Sequence, residues 1–226
     1  MMTVLALETS TEIASVALLR GAHLTRRQTA GVQSHSQSVL PMVSSLLEEA
    51  GMQLSDCELI AFGCGPGSFT GVRTACAIAQ GLAFGAGLPL APVVTLEAMA
   101  EACRLASGAT DVLAVLDARM NEVYWAQYRY DGQWQEISAP ALSAAAHVRA
   151  AGQPVMVGNG VALCTQFHVE PASMEALALP DAAAIARLGQ AAKARGQVVD
   201  AMHAQPLYLR NKIALTTAER LAKASA

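Results

Sequence analysis

The sequence has few charged and few aromatic side chains, 15% and 4% of its 226 residues. The net charge is −3 at pH 7, and the isoelectric point is near 5.9. A chain without a basic excess does not bind nucleic acid tightly by neutralising phosphates, so direct RNA binding is not expected. Hydrophobic residues make up 53% of the chain, which leaves more apolar surface than one chain covers by itself. The composition therefore indicates a protein partner.

The sequence lacks a Cys-x-x-Cys pair, and its five cysteines are scattered and odd in number. This pattern argues against a disulfide framework and against a thiolate metal site, so we expect reduced thiols in the cytoplasm. The first apolar run has no basic flank and ends at Glu8, which predicts no secretion signal. Glycines and prolines break the long apolar run of residues 72–100, so a membrane span is not expected there.

Alternating apolar runs in residues 3–29 predict a meander of three antiparallel strands. A capping box at Ser34 and Gln37 then predicts a helix that Pro41 kinks and Gly51 ends. The pattern further predicts strands over residues 58–62 and 88–94, and helices over residues 71–84 and 95–106 with Thr70 and Thr95 as their caps.

Residues 111–140 repeat the pattern of the first meander. The second half is completed by a helix over residues 143–151, a strand over 154–160 and a helix over 181–195. The repetition predicts an α/β fold of two similar lobes with mixed sheets and a cleft between them. We expect the N-terminal lobe to be residues 1–108 and the smaller C-terminal lobe to be residues 109–226. The last helix, after residue 210, is expected to return to the first lobe.

Six motifs follow one another over nearly the whole length of the chain. They are VLALETSTEIASVAL at residues 4–18, HSQSVLPMV at 35–43, GPGSFTGVR at 65–73, LDAR at 116–119, VGNG at 157–160 and PLYLR at 206–210. Together they closely resemble the TsaB (YeaZ) family of bacterial tRNA modification proteins. The resemblance implies the duplicated, ribonuclease H-like fold of the actin and sugar-kinase ATPases.

The resemblance also implies a function and a set of partners. TsaB proteins are regarded as noncatalytic subunits that support TsaD, the enzyme that transfers threonylcarbamoyl to adenosine next to the anticodon of tRNA. The partners implied are a TsaD-like catalytic subunit, a TsaE-like ATPase and, when TsaD is absent, a second copy in a homodimer. Contact with tRNA is expected only indirectly, through the complex. No cofactor of the chain's own is implied, and an interface shared within the complex is left open as a place for ATP or ADP.

The chain departs from the TsaD pattern at the metal site. TsaD-like proteins carry a His-x-x-x-His pair that ligates a metal, and the corresponding positions here are Thr95 and Met99. A hydroxyl and a thioether do not replace two imidazoles, so we expect no metal site and no catalytic residue. The loop at residues 65–67 also lacks a Walker lysine, and we interpret it as a sharp turn rather than a phosphate cradle.

The fold binds phosphate with one glycine-bearing hairpin in each lobe, because close backbone approach needs residues without a Cβ. In the first hairpin Glu8, Thr9 and Ser10 form a polar loop, which we interpret as a vestigial phosphate site. In the second hairpin Asp117 replaces glycine and repels phosphate. We expect Arg119 to pair with a neighbouring carboxylate or a partner.

The helix after the GPG loop has small residues at four-residue steps, which let another backbone approach closely. That stripe packs either on the chain's own sheet or against a partner. Combined with the apolar face of the first helix, it predicts a partner interface. The predicted interface residues are Val39, Val43, Leu46, Leu47, Gly71, Ala75, Ala79, Leu82 and Ala83.

Two hypotheses of different classes follow. The first is a scaffold subunit that docks on a TsaD-like enzyme. The alternative is an ATPase or transferase that acts in its own interlobe cleft through Glu8, Thr9, Ser10 and Asp117. A peptidase is disfavoured, because the sequence has no Gly-x-Ser-x-Gly elbow to present a nucleophile.

Overall fold

The first half of the chain forms a five-stranded mixed sheet. The structure is a computed structural model that describes residues 2–30, 35–164 and 179–210. The strands are β1 (Thr3–Glu8), β2 (Ile13–Arg20), β3 (His23–Ala30), β4 (Leu59–Gly65) and β5 (Leu90–Val94), in the order β3-β2-β1-β4-β5. Strands β1 to β3 pair antiparallel, which confirms the predicted meander, and β4 and β5 continue the sheet parallel to β1.

The second sheet repeats this topology with one strand fewer. Its strands are β6 (Asp111–Arg119), β7 (Glu122–Tyr130), β8 (Trp134–Ala144) and β9 (Val155–Val157), in the order β8-β7-β6-β9. Again three strands form an antiparallel meander, and the fourth lies parallel to the first. The fold is therefore α/β with two similar lobes, and the predicted duplication is confirmed.

Helices cover both faces of the first sheet because its side chains alternate with a period of two. The helices are α1 (His35–Glu49), α2 (Phe69–Ala86), α3 (Thr95–Ser107) and α4 (Ala182–Ala194). Leu5 and Leu7 pack with α1 and α2, whereas Val4 and Ala6 pack with α4 on the opposite face. Helix α4 thus lies against the first sheet, although it follows the second sheet in the chain.

Helix α3 lies between the two sheets. Leu96, Met99 and Ala100 pack on the second sheet, and Ala98 packs in the core beneath α4. The buried Glu101 carboxylate on the same helix accepts hydrogen bonds from its neighbour Arg104 at 2.8 and 2.9 Å, and one from Trp134 of the second lobe at 2.9 Å. One helix therefore holds the lobes together in the middle.

The prediction of a helix over residues 143–151 is wrong. Strand β8 continues to Ala144, and a single 3-10 turn over Ala145–His147 follows it. Ser143 pairs with Val123 of β7, so sheet hydrogen bonding overrides the helical preference of this alanine-rich segment.

Two predicted helix caps are also wrong. Ser68, not Thr70, caps α2, and its side chain accepts a hydrogen bond from the Gly71 amide. Thr95 is the first residue of α3 rather than its cap.

Other predictions about the helices have mixed outcomes. Helix α1 continues through Pro41, and Asp181 caps α4 through the Ala183 amide at 2.7 Å. Ser34 of the predicted capping box and the helix predicted after residue 210 lie outside the described residues. Within the described residues, no helix has both the length and the apolar character that crossing a membrane requires.

Candidate functional site

A cleft of about 790 Å³ lies between the two lobes. Its walls come from seven places in the sequence: the turn after β1, the start of α1, the GPG loop with the start of α2, the turn after β6, Tyr124 of β7, the VGNG segment and residues 207–210. Residues from each of the six motifs of the family resemblance therefore meet around one cavity. The lining residues are Ser10, Thr11, Glu12, His35, Pro66, Gly67, Ser68, Phe69, Val72, Leu116, Asp117, Ala118, Arg119, Met120, Tyr124, Asn159, Leu207, Tyr208, Leu209 and Arg210.

The glycines of GCGPGSFTG allow the turn after β1 to pack directly on this loop. A Cβ on Gly71 would overlap the carbonyl oxygen of Thr9, and a Cβ on Gly67 would lie 2.6 Å from the Ser10 carbonyl oxygen. Close backbone approach is the property that only glycine supplies at such positions. The loop is therefore shaped to hold another part of the chain.

Two hydrogen bonds fix the turn after β1 onto the loop. The Ser68 amide donates to the Ser10 carbonyl at 2.7 Å, and the Thr9 hydroxyl donates to the Gly71 carbonyl at 2.6 Å. Of the predicted phosphate-loop residues Glu8, Thr9 and Ser10, only Ser10 lines the cleft as the described chain forms it. A role of these three residues in cofactor binding stays a prediction.

Glu8 ends β1 in a fully buried position, where its side chain fills the space that Gly63 leaves open. One carboxyl oxygen accepts a hydrogen bond from the Ser10 amide at 2.5 Å, and the other has no hydrogen-bond partner among the described residues. Burial raises the pKa of Glu8, and the hydrogen bonds from Ser10 oppose this shift. The residue behaves as a buried structural acid.

The turn after β6 is held by its own aspartate. Arg119, Met120 and Asn121 all have left-handed backbone angles, with φ of 66°, 61° and 59°. Asp117 accepts a hydrogen bond from the Arg119 amide at 2.7 Å and forms an ion pair with the Arg119 side chain at 3.3 Å. The expected pairing of Arg119 with a neighbouring carboxylate is confirmed, and the turn has no glycine that would open its backbone to a ligand.

The VGNG segment packs under this second turn. A Cβ on Gly160 would lie 2.7 Å from the carbonyl carbon of Leu116, so glycine is required there too. The Asn159 side chain accepts a hydrogen bond from the Asp117 amide at 2.9 Å. Each lobe therefore uses a glycine segment to support the turn of its first hairpin.

Residues 207–210 connect the two lobes along the cleft wall, and sequence reasoning missed the contacts that do so. On the first lobe, the Leu207 amide donates to the Cys64 carbonyl at 2.7 Å, and Arg73 donates to the Tyr208 hydroxyl at 2.6 Å. On the second lobe, Arg210 pairs with Glu122 at 2.6 Å. The PLYLR motif indicated that this segment matters, but no local sequence pattern could predict contacts with residues more than eighty positions away.

The positions that correspond to the TsaD histidines are buried. Thr95 and Met99 are both 0% exposed, and a Cβ on Gly158 would overlap the end of the Met99 side chain. Over residues 2–30, 35–164 and 179–210, no three His, Cys, Asp or Glu side chains lie close enough together to hold a metal ion.

The predicted interface side chains are almost all buried within the chain itself. Every one except Leu82 is buried, and these residues pack in the core beneath α1 and α2. The small residues of α2 therefore face their own sheet, and they are not an exposed apolar patch. A partner surface on these two helices stays a prediction, but it would have to use their outward faces.

The cysteines are unsuited to nucleophilic chemistry. All five are buried, and burial, helped by the nearby Glu8, raises the pKa of Cys64 to about 12. A thiol of this kind remains protonated at neutral pH and is a poor nucleophile.

Sequence comparison identifies close relatives. The family model described as TsaD: tRNA N6-adenosine threonylcarbamoyltransferase matches residues 25–219. The tRNA threonylcarbamoyladenosine biosynthesis protein TsaB of Haemophilus influenzae is 39% identical over 224 residues, which cover 94% of this chain and 95% of the relative. TsaB of Escherichia coli is 41% identical over 224 residues, which cover 94% and 96%.

Solved structures agree with these relatives. YeaZ from Pseudomonas aeruginosa is 39% identical and superposes with a TM-score of 0.87 over 92% of this chain and 100% of its own. A second Pseudomonas aeruginosa structure, described as an uncharacterized protein with similarity to peptidase YEAZ, has the same TM-score of 0.87 and 39% identity, and covers 93% of this chain and 100% of its own. The chain therefore belongs to the TsaB (YeaZ) family of tRNA threonylcarbamoyladenosine biosynthesis proteins.

Proposed function

We propose that this chain is a noncatalytic subunit that binds a TsaD-like enzyme and supports threonylcarbamoyl transfer to adenosine in tRNA. The observation that carries this proposal is that the cleft turns are bound to the protein itself. The Thr9 hydroxyl bonds to Gly71, and the Asp117 carboxylate bonds to its own turn. Groups that are already engaged in this way, with an acid in place of a glycine, fit a nucleotide phosphate poorly.

The outward faces of α1 and α2 are the surface we assign to the TsaD-like partner. Leu40 is 46% exposed on α1, and Phe84 is 81% exposed on α2. Ala77 and Gly81 lie on the same exposed face of α2, where small side chains let another helix approach closely. The same surface would pair two copies in a homodimer when TsaD is absent, since one apolar face serves either partner.

Substitutions on this outward face test the docking assignment. Ala77→Arg and Phe84→Glu should abolish co-purification with a TsaD-like subunit while the melting temperature stays unchanged, because both side chains are exposed. Leu105→Glu on α3 is the matched control, since Leu105 is 47% exposed on a different helix. Val43 and Ala79 are unsuitable for this test, because charges at these buried positions would unfold the chain. Retained binding by both outward variants would contradict the assignment.

A reconstitution tests the function itself. The chain is mixed with its TsaD-like enzyme, a TsaE-like ATPase, a source of threonylcarbamoyl groups and tRNA, and the modified adenosine is measured. We expect modification to fall to background when the chain is omitted. Full modification without it would contradict the proposal. In this scheme tRNA contacts the chain only through the complex, and any ATP or ADP lies at an interface shared with a partner.

One observation favours the alternative of an ATPase or transferase acting in the cleft. A cavity of about 790 Å³ is within the size range of small-molecule sites. Nucleotide titration of the isolated chain separates the two proposals. Tight ATP binding with turnover that Ser10→Ala abolishes would favour the enzyme, because Ser10 lines the cleft. Absence of binding would favour the scaffold. The peptidase similarity in the description of one neighbour gains no support from the cysteines, since all five are buried.

A further inference from the structure

The segment of residues 206–210, called here the strap, crosses from one lobe to the other. Leu207 packs in the core under α2, and its carbonyl oxygen would lie 2.9 Å from a Cβ on Gly65. Tyr208 stacks near Phe69 with ring centroids 6.1 Å apart, and the Arg73 guanidinium lies 3.7 Å from the Phe69 ring centre. The first part of the strap is therefore bound firmly to the first lobe.

The chain before the strap is bound to the same helix. The Gln80 side chain of α2 donates to the carbonyls of Ala201 and Ala204, both at 3.0 Å. The peptide from residue 201 to residue 208 therefore follows α2 closely. This stretch has little freedom to lengthen when the lobes move apart.

The end of the strap is bound to the second lobe through one side chain. Arg210 pairs with Glu122 at 2.6 Å and donates to the Ala118 carbonyl at 3.0 Å. Both partners flank the left-handed turn after β6. The Arg210 side chain is only 18% exposed, so water screens this pair less than it screens a surface pair.

The short length of the strap limits how far the two lobes can separate while these contacts persist. The three peptide steps from Leu207 to Arg210 span at most about 10 Å when fully extended. Opening the cleft from this side therefore requires Arg210 to leave Glu122 and Ala118, since Leu207 and Tyr208 are bound to β4 and α2 of the first lobe.

We propose that the strap is an interlobe latch in which Arg210 fixes the width of the cleft. Other links between the lobes in the described part of the chain include the packing of α3 on both sheets, the connection at residues 108–110 and Trp134, which packs in the core beneath α4. These links lie on elements other than the strap and act as the hinge. The proposal does not depend on which partner or ligand the protein binds.

The test measures the distance between the lobes in the full-length chain. Spin labels are placed at Ala22→Cys on the first lobe and Ala139→Cys on the second, both exposed positions away from α1 and α2. The five native cysteines are buried, and dilution with unlabelled protein removes distances between copies. We expect one narrow distance distribution in the parent, and a wider distribution with a longer mean in Arg210→Met.

Controls separate a latch from general loss of stability. Arg129→Met removes an ion pair with Asp111 that lies wholly within the second lobe, so its distribution should match the parent. Charge reversal at Arg210→Glu should open the cleft, and the added Glu122→Arg should narrow the distribution again through the reversed ion pair, although a carboxylate at position 210 cannot donate to the Ala118 carbonyl. An unchanged distribution in folded Arg210→Met would overturn the proposal. If that variant does not fold, failure of the double reversal to restore the narrow distribution would overturn it instead.

Discussion

The two turns that face each other across the cleft use the same local bond in different surroundings. In the first lobe the Glu8 carboxylate accepts a hydrogen bond from the amide two residues later, and in the second lobe Asp117 does the same. Glu8 is 0% exposed, whereas the Asp117 side chain is 25% exposed. The difference arises because the Glu8 side chain fills the space that Gly63 of β4 leaves open, whereas Asp117 lines the cleft. The two lobes thus share the same carboxylate–amide hydrogen bond, and they differ in how deeply the surrounding chain buries it.

The largest expected effect comes from separating the first turn from its loop. Gly71→Ala places a methyl group on the Thr9 carbonyl oxygen, a backbone atom that cannot rotate away. We expect a loss of about 3 kcal/mol in the free energy of unfolding, measured with denaturant. Gly81→Ala on the same helix is the control, because a Cβ there meets nothing within 4 Å. That variant should gain about 0.5–1 kcal/mol from helix propensity. Equal effects of the two would refute the close-approach argument.

Glu8 should make stability depend on pH. Burial raises its pKa above the ordinary value of 4.5, so the folded state keeps the proton at pH values where the unfolded chain has released it. Stability from this residue is therefore greatest below about pH 4.5 and falls as pH rises toward the folded-state pKa. Glu8→Gln removes the titration, so the variant should gain stability relative to the parent as pH increases.

Unfolding in denaturant between pH 4 and pH 8, roughly the range over which a raised carboxyl pKa acts, measures this difference. Gly81→Ala leaves every carboxylate in place and should differ from the parent by the same amount at each pH. If the stability difference between Glu8→Gln and the parent does not change with pH, burial does not raise the pKa of Glu8.

The second turn should depend on its aspartate by a smaller amount. Asp117→Ala removes the acceptor that holds a turn of three left-handed residues. We expect a loss of about 1 kcal/mol in the free energy of unfolding, the usual net value of one hydrogen bond. Asp117→Asn keeps an acceptor oxygen and should recover most of the loss. If both variants are as stable as the parent, the turn is held by other contacts.

The smallest effect is expected at Arg119. Its side chain is 87% exposed, and its ion pair with Asp117 is long at 3.3 Å. Solvent-exposed ion pairs contribute little to stability, so Arg119→Ala should change the free energy of unfolding by less than about 0.5 kcal/mol. A thermal or denaturant melt that shows a larger loss would mean that the arginine does more than pair with its neighbour.

Much of the fold followed from local patterns. Alternating apolar residues predicted both meanders, and Asp181 marked the start of α4 correctly. The failures came from contacts between distant residues. The helix predicted over residues 143–151 does not form, because pairing with β7 keeps Ser143 and Ala144 in a strand.

The site was predictable as a set of motifs and not as a geometry. The GPG loop, the LDAR turn and PLYLR all reached the cleft, yet the sequence could not show that Thr9 bonds to Gly71 or that Arg210 bonds to Glu122. The small-residue stripe of α2 could pack on the chain's own sheet or against a partner. Only the position of the sheet shows that Ala75 and Ala79 face inward. Which side chains of α2 point inward depends on the face of the helix that the sheet covers. Local composition does not encode this choice.

The outer strands of both sheets bear on how so apolar a chain avoids aggregation. Strand β9 is only three residues long, and β5 and β8 contain Pro92 and Pro140, which cannot donate a backbone hydrogen bond. Strand β3 carries Arg26 and Arg27 along its length. Short, proline-bearing or charged edges are poor templates for strand addition by another molecule. The edges of both sheets are thereby protected against strand addition, and the proposed docking on α1 and α2 does not compete with it.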